Sequence, residues 1–398
     1  MRCAAPPDIV AVLGNAIASH RPLIDYGLAH AALGHAPPAP PAEHTRFAQE
    51  ADPANRGILE HYVRDLTVRA AAGITIGDLQ EALAATNQFA PIDADDDITL
   101  GEAIHHNMWG PLRVGYGSIR DLLLGLGYID GEGRDIRVGG RTVKNVAGYD
   151  VTRFMVGSLG ELGVVHEATL RTYAIPESVL EVEMTVKDPA IFDERGTDLI
   201  LSDAKPTHLS LCHRCGRHGA AAGTWVAQAA YFGRHTANIV QRRALEMFTA
   251  TLRGVTVTGS TDSSLTRDAM ERSARRAWRR NASAVVKIIV PPASTGAVCN
   301  ELLRWADQHF SLRFEVLPLH GCVFAGGDLN ADLARKLDAL INDAIQSCNG
   351  MRVWHARPAG AEDIAPFGPP QPDWALLGKL KKTMDPHKVL NPGRFVRW

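Results

Sequence analysis

Residues 139–173 read GGRTVKNVAGYDVTRFMVGSLGELGVVHEATLRTY, a glycine-rich stretch that carries the clearest indication of the fold. Its first 25 residues contain six glycines: Gly139, Gly140, Gly148, Gly157, Gly160 and Gly163. Glycine at this density indicates backbone that turns sharply or lies close to a ligand, because glycine adds no side-chain packing. Apolar and polar residues then alternate from Val164 to Arg171, which predicts a half-buried strand. The stretch therefore predicts a loop that leads into a sheet and directs its N–H groups toward a nucleotide cofactor.

The spacing of these glycines excludes two common nucleotide-binding loops. It is neither a G-x-G-x-x-G that opens a helix nor a G-x-x-x-x-G-K-[ST] loop. A different nucleotide or flavin fold is therefore expected.

The run from Thr99 to Val165, TLGEAIHHNMWGPLRVGYGSIRDLLLGLGYIDGEGRDIRVGGRTVKNVAGYDVTRFMVGSLGELGVV, resembles the FAD-binding domain of the vanillyl-alcohol oxidase superfamily. It is most similar to the FAD-binding subunits of bacterial glycolate oxidases. The similarity covers roughly residues 57–176 and returns in the tail LLGKLKKTMDPHKVLNPGRF. KNVAGYD followed by GS-x-G-x-LG is a long combination, and therefore a specific one.

This resemblance implies an α+β fold in three parts. Residues 1–176 are expected to form a PCMH-type, two-subdomain FAD-binding domain. Residues 177–365 are expected to form a cap or substrate domain with an antiparallel sheet covered by helices, and residues 366–398 to return to the FAD domain.

The resemblance also implies non-covalent FAD, no metal, and a set of site residues. The catalytic candidates are His106, Asn391 and Arg394. The cofactor-binding candidates are Gly27, Thr99, Gly101, Asn107, Gly110, Pro111, Gly117, Ser118, Asp121, Lys144, Asn145, Gly148, Tyr149, Asp150, Gly157, Ser158, Gly160, Gly163, Val164 and Asn391.

Two departures from the family pattern leave alternatives open. The first turn reads DYGLAHAALGHAPP, with only Gly27 and Gly34 in place of a glycine cluster. Either the pyrophosphate is held differently, with His30 or His35 helping, or FAD binding is weakened. The paired histidines that end at His106 could likewise serve as a base near the flavin or simply be polar surface groups.

Composition limits the classes of function. The chain has 398 residues with 42 basic and 44 acidic side chains, which argues against nucleic acid as the main partner. No apolar run approaches the roughly 18 residues of a membrane span, and the N-terminus lacks the pattern of a signal peptide. Six scattered cysteines fit a reducing compartment, so a cytoplasmic location is expected, with peripheral attachment to the inner face of the membrane through partners as an alternative.

Beyond Pro176 the chain alternates between strand-like and helix-like segments. The strand-like segments are LEVEMTV, THLSLC, TWVAQAAYF, VTVTGS, AVVKIIV, RFEVLPL and RVWHARP. The helix-like segments are HTANIVQRRALEMFTATL, TGAVCNELLRWADQHF and LNADLARKLDALINDAIQSCN. Cys212, Cys215 and His218 lack a fourth zinc ligand, which favours a loop cysteine pair without metal.

Five arginines recur at helical spacing before AVVKIIV: Arg272, Arg275, Arg276, Arg279 and Arg280. A solvated basic face is the simpler interpretation. The alternatives are a docking surface for an acidic partner or an arginine that reaches a substrate carboxylate.

The favoured hypothesis is an FAD-binding subunit of a glycolate oxidase or dehydrogenase complex, an enzyme that oxidises a 2-hydroxy acid such as glycolate or D-lactate to the 2-oxo acid. A second flavoprotein and an iron–sulfur protein are the expected partners. LHGCVFAGGDLN lacks the second histidine and the acidic pair of the family's metal motif. Two alternatives therefore stay open: a non-catalytic assembly subunit with weak or no FAD binding, and a self-sufficient flavin alcohol oxidase.

Overall fold

The computed structural model describes residues 57–140, 151–214, 224–263, 279, 282–309, 312–369 and 371–391. It contains two large antiparallel sheets, and the sequence prediction of an α+β fold with an antiparallel sheet covered by helices is confirmed. Among the described residues, no helix has the length and apolar character needed to cross a membrane.

The first sheet, called here the small sheet, has five strands in the order β1-β2-β6-β4-β5. The strands are β1 Ile58–Tyr62, β2 Thr67–Ala71, β4 Leu123–Ile129, β5 Asp135–Gly139 and β6 Val164–Arg171, and a separate pair is formed by β3 Gln88–Phe89 and β7 Tyr173–Ala174. The helices of this part are α1 Ile76–Ala84, α2 Leu100–His105, α3 Arg113–Tyr116, α4 Ile119–Leu122 and α5 Thr152–Met155.

Helix α1 forms as the sequence predicts. The Thr75 hydroxyl accepts a hydrogen bond from the Asp78 N–H at 3.1 Å, which caps the first turn. Ile76, Leu79 and Leu83 are buried on one face and join the core under the small sheet. The alternation in GILEHY and DLTVRAAAG and the helical spacing of apolar residues after Thr75 predict two strands and a helix after Gly57, and this order is confirmed.

Strand β6 differs from its prediction, because it is buried along both faces instead of one. It lies at the centre of the small sheet between β2 and β4. Its Glu167 is covered by two arginines, Arg69 of the adjacent strand β2 at 2.8 Å and Arg137 of β5, two strands away, at 2.7 Å. A register shift opposite Gly127 also breaks the simple alternation. The alternating pattern of the sequence predicts that Glu167 faces solvent, but in the structure Glu167 is buried and paired with both arginines.

The second sheet, called here the large sheet, has eight strands in the order β11-β8-β10-β9-β13-β14-β12-β15. The strands are β8 Ser178–Val186, β9 His208–Arg214, β10 Thr224–Gly233, β11 Val255–Ser263, β12 Ala284–Ile289, β13 Arg313–Leu317, β14 Cys322–Gly327 and β15 Met351–Ala356. The helices are α6 Ile191–Leu201, α7 His235–Ala250, α8 Thr295–His309 and α9 Ala331–Gln346, followed by α10 Trp374–Met384 in the tail.

The two faces of the large sheet serve different neighbours. Val286, Val316 and Val323 point to the core that the sheet shares with its helices. The alternate residues on the same strands point away from that core, because successive side chains of a strand face opposite sides. On this second face Phe324 lies beside both Lys287 and Glu315 in register. This is the face that meets the part of the chain built on the small sheet.

Candidate functional site

Three residues of GSLGELG, in the loop after helix α5, have positive φ. Gly157 has φ +82°, Leu159 +53° and Gly160 +72°. Positive φ is unfavourable for a residue with a side chain, so Leu159 must be held by its surroundings. The Gly157 N–H donates to the Ile104 carbonyl and the Leu159 N–H to the His105 carbonyl, each at 3.0 Å. The loop is therefore fixed to the last turn of α2.

Helix α2 is itself firmly placed. Thr99 and Glu102 form a capping box, in which each side chain accepts a hydrogen bond from the backbone N–H of the other residue. The Gly101 N–H donates to the Ala72 carbonyl at 2.8 Å, which ties the helix to the end of β2. Thr99 and Gly101, both predicted to bind the cofactor, thus position the helix that positions the glycine loop.

His105 connects α2 to the same loop from inside the protein. Its side chain is buried, with Nδ1 3.0 Å from the Ser158 hydroxyl and Nε2 3.5 Å from the Val165 N–H. Since Nε2 faces a donor, the proton belongs on Nδ1, which donates to the Ser158 oxygen. The Ser158 O–H can then donate toward a ligand on the other side. Burial lowers the pKa of His105 to about 4, so the ring is neutral near pH 7.

This buried imidazole makes the protein sensitive to acid. Its folded pKa of about 4 lies below the ordinary 6.5, so the unfolded chain takes up the proton first. The contribution of His105 to the free energy of unfolding is therefore constant above pH 6.5. It falls between pH 6.5 and 4, by roughly 3 kcal/mol. We expect His105→Gln to reduce the slope of unfolding free energy against pH in that window, measured by urea unfolding. The exposed His387→Gln is the control, and an unchanged slope in the His105 variant would contradict the assignment.

The tail contacts the glycine loop through Lys381 and Asn391. Lys381 of α10 is buried, and its Nζ donates to the Glu161 carbonyl at 2.7 Å and to the Leu390 carbonyl at 2.6 Å. It also pairs with the Asp385 carboxylate at 2.5 Å. The Asn391 amide donates to the Leu159 carbonyl at 2.8 Å. Two carbonyls of the glycine loop are therefore held by the tail.

Asn107 lies beside this loop and supplies the test of whether FAD fits. It has φ +47°, and its Oδ1 is buried without a hydrogen-bond partner in the described part of the chain. Among the described residues, a Cβ placed on Gly157 would meet only the Asn107 Cβ, at 3.5 Å, so the space beside this glycine is not filled by the described part of the chain. A buried acceptor next to this open space fits an isoalloxazine, which has one ring N–H donor and needs close approach of backbone.

The segment between α2 and α4 carries further predicted residues. The Ser118 N–H and hydroxyl both donate to Asp121 Oδ2 at 2.8 Å, which shapes the turn at Gly117, where φ is +84°. Gly110 and Pro111 are buried, and the next N–H, of Leu112, donates to the Asp93 carboxylate at 3.0 Å. The Asp121 side chain therefore holds the turn at Gly117 through its two hydrogen bonds from Ser118.

The large sheet presents charged and aromatic side chains to this segment. Trp109 joins a cluster with Leu317, Cys322 and Phe324. Lys287 Nζ lies 4.6 Å from the centre of the Trp109 ring, and the Arg113 guanidinium lies 4.3 Å from it. The sequence analysis did not predict a site role for Trp109, Arg113 or Lys287. The one available signal was Lys287 itself, a lysine in the middle of the apolar strand AVVKIIV.

Arg279 corrects one prediction. Its side chain is 14% exposed, pairs with Glu315 at 2.5 Å and stacks over Phe324 at 3.3 Å. The solvated basic face is therefore wrong for Arg279, because the buried Glu315 provides its partner. The other arginines of that group, Arg272, Arg275, Arg276 and Arg280, lie outside the described residues, as do Cys215 and His218.

Several predicted site residues also fall outside the described ranges: Gly27, Lys144, Asn145, Gly148, Tyr149, Asp150 and Arg394. The structure brings together Asn107, Gly157, Ser158 and Asn391 around one loop. Gly163 precedes β6, and a Cβ there would lie 2.7 Å from the Tyr128 ring, so packing requires this glycine. Val164 is the first residue of β6. His106 follows α2, and its N–H donates to the Glu102 carbonyl; its catalytic role stays a prediction.

Comparison with known proteins identifies the class of domain. Residues 52–154 match the family described as FAD binding domain. This region is an FAD-binding domain of the PCMH type, and FAD is its cofactor.

Among relatives, the glycolate oxidase subunit GlcE of Escherichia coli strain K12 is 34% identical over 135 residues, which are 33% of this chain and 39% of that protein. The glycolate oxidase subunit GlcD of Bacillus subtilis strain 168 is 37% identical over 123 residues, 30% of this chain and 26% of that protein. A mitochondrial D-lactate dehydrogenase (cytochrome) of Arabidopsis thaliana is 37% identical over 132 residues, 32% of this chain and 23% of that protein. The matched part of the chain thus spans less than two fifths of the full length of each of these relatives.

The fold has neighbours among solved structures over most of its length. An alkyldihydroxyacetonephosphate synthase structure superposes with a TM-score of 0.62 at 15% identity and covers 86% of this chain and 67% of its own. A second crystal form gives a TM-score of 0.60 at 16% identity, with 85% and 66% covered. These likenesses show that the two-sheet architecture is shared.

Proposed function

We propose that this chain binds FAD without a covalent bond and takes part in the oxidation of a small 2-hydroxy acid, such as glycolate or D-lactate, as a subunit of a glycolate-oxidase-type complex. The observation that carries the proposal is the buried Asn107 Oδ1 beside Gly157, which has no hydrogen-bond partner among the described residues and lies within the domain whose cofactor is FAD. The names of the relatives support the substrate class.

In this proposal the protein binds and orients the cofactor and the hydroxy acid. Asn107 Oδ1 accepts a hydrogen bond from the flavin ring, and the Ser158 O–H donates to the cofactor. Gly157 and Gly160 allow close approach of the backbone. FAD supplies the acceptor for the hydride that leaves the hydroxyl-bearing carbon. Asn391 completes the site from the tail, Arg394 is the candidate for neutralising charge there, and His106 is the candidate for holding the hydroxyl proton.

The test is an absorption spectrum of the purified full chain after incubation with FAD and gel filtration. We expect flavin bands in the visible region at close to one FAD per chain. Anaerobic glycolate or D-lactate is then added, and loss of the bands reports oxidation of the acid. A chain without flavin absorbance would overturn the proposal.

The same experiment separates the alternatives. Flavin that stays oxidised with either acid would point to a subunit that needs its partners for turnover. Turnover by the isolated chain at about 1 per second or faster, with an artificial acceptor, would instead indicate a self-sufficient oxidase. For the subunit role, purification of a tagged chain from its native cell is expected to recover a second flavoprotein and an iron–sulfur protein, and a chain recovered alone would argue against it.

A further inference from the structure

Helix α7 lies at one edge of the large sheet and is held there in a fixed orientation. It packs on strands β8, β10 and β11 through the buried residues Asn238, Leu245 and Thr249. The Asn238 Nδ2 donates to the carbonyl and the hydroxyl of Ser178, each at 3.1 Å. These hydrogen bonds fix the rotation of the helix about its own axis, so the residues on its opposite side always point away from the sheet.

That opposite side, called here the α7 face, has the spacing of a coiled-coil seam. Its exposed residues recur at intervals of four, three, four and three: Thr236, Val240, Arg243, Met247 and Ala250. This alternation keeps one stripe of a helix turned toward a second helix. Val240 is 66% exposed and Met247 69%, and Ile239, which is 53% exposed, borders the stripe. Large apolar side chains grouped on a fixed face are a feature of surfaces that bind another protein.

Arg243 gives the centre of the α7 face a positive charge. The only acidic residue in the sequence of α7 is Glu246, and it pairs with Arg242 at 2.9 Å. Arg243 itself forms no ion pair with any residue that the structure describes. A guanidinium within an apolar seam is best matched by a carboxylate, which accepts two of its hydrogen bonds. The α7 face therefore favours a partner that carries a carboxylate opposite Arg243.

A second copy of this chain does not meet that requirement. Arg243 lies midway between Thr236 and Ala250, so two copies of α7 paired in register, parallel or antiparallel, would place Arg243 against Arg243. Like charges that face each other in an interface oppose the pairing. The charge pattern therefore favours a different protein.

We propose that the α7 face docks an amphipathic helix of a partner subunit, with apolar residues against Val240 and Met247 and a carboxylate against Arg243. The inference rests on the proposed function, since it names the surface by which the chain joins its complex. The α7 face lies on the helix-covered side of the large sheet, whereas the part of the chain that carries the glycine loop meets the other side. A partner bound to α7 therefore leaves the glycine loop uncovered.

The test uses the tagged full chain purified from its native cell, with the second flavoprotein and the iron–sulfur protein of the proposed complex quantified by mass spectrometry. We expect the double variant Val240→Asp, Met247→Asp to recover about tenfold less partner per chain than the wild type, because it places charge in the apolar part of the seam. Arg243→Glu is expected to have the same effect, since it repels the partner's carboxylate. Leu376→Asp is the matched control, because Leu376 is 68% exposed on α10, and it should recover as much partner as the wild type.

A carbodiimide crosslink tests the carboxylate of the partner directly. In the Arg243→Lys variant, which keeps the charge, the reagent joins the introduced amine to a carboxylate in contact with it, with loss of water. We expect the link to lead to an acidic residue of the partner subunit that has apolar residues three and four positions away. A link to a second copy of this chain, or no link at all, would overturn the proposal.

The outcomes separate this proposal from the proposed function. FAD content and thermal midpoint are measured for every variant, and both should match those of the wild type. Wild-type partner recovery by the double variant would overturn the docking role of the α7 face alone. Wild type recovered without either partner would overturn the subunit role and the docking role together, while its flavin spectrum still reports whether FAD binds. If the double variant does not fold, Arg243→Glu, which changes one exposed side chain, decides in the same way.

Discussion

Gly157→Val is expected to release FAD from the protein, whereas Gly133→Val should keep it. Both glycines have nearly the same backbone conformation, φ +82° and +80°, so both variants bear a similar strain, on the order of 1–2 kcal/mol. Within the part of the chain that the structure describes, a Cβ at Gly133 meets nothing within 4 Å, and one at Gly157 meets only the Asn107 Cβ at 3.5 Å. Apart from the backbone strain that both variants share, these residues leave room for a side chain at Gly157. The difference between the variants reports what else occupies that space.

The measurement is flavin absorbance per chain after gel filtration, together with the thermal midpoint of each variant. We expect flavin content to fall at least tenfold for Gly157→Val while its midpoint in the absence of FAD matches that of Gly133→Val. Equal flavin content in the two variants would show that the loop does not face the cofactor.

Lys381→Met is expected to cost about 3–5 kcal/mol of unfolding free energy and to weaken FAD retention as well. Removing the ammonium group leaves the buried Asp385 carboxylate without its cation. The carbonyls of Glu161 and Leu390 lose their donor at the same time. Lys382→Met is the matched control, because this neighbouring lysine is exposed and should cost less than about 0.5 kcal/mol.

A double variant checks the reason for the loss. Asp385→Asn in the Lys381→Met background removes the uncompensated charge and keeps an acceptor oxygen for one of the two N–H groups, of Val389 and Leu390, that donate to Asp385. We expect part of the stability to return, as measured by urea unfolding. If the double variant is no more stable than Lys381→Met alone, burial of charge is not the cause.

Local patterns in the sequence predicted much of the fold correctly. The cap of α1 at Thr75 and its buried face were readable because both depend on neighbours three or four residues away. The turn residues D-G-E-G at 130–133 predict a hairpin, and β4 and β5 form it. Seven strands of the large sheet were predicted; the eighth, β14, was missed because CVFAGG was considered only as part of a motif.

What the sequence could not reveal depends on contacts between distant segments. The charge at Glu167 resembled a solvent position, and only the arginines of β2 and β5 make it a buried one. Helix α6, Ile191–Leu201, was missed because the glycine at its centre and its mixed composition give a weak pattern. Arg113 and Lys287 are 174 positions apart in the chain, so no local pattern could show that they meet on Trp109.

The hold of the tail on the glycine loop has a consequence for how the protein is made. Lys381 reaches back 220 positions to Glu161, and Asn391 reaches back 232 positions to Leu159. A ribosome synthesises the loop long before it synthesises these partners, so the loop waits in the nascent chain without two of its hydrogen bonds. Its strained residues can settle only after the chain has emerged through Asn391. We therefore expect cofactor loading to follow translation of the tail, and a chain that stalls earlier to lack a site able to retain FAD.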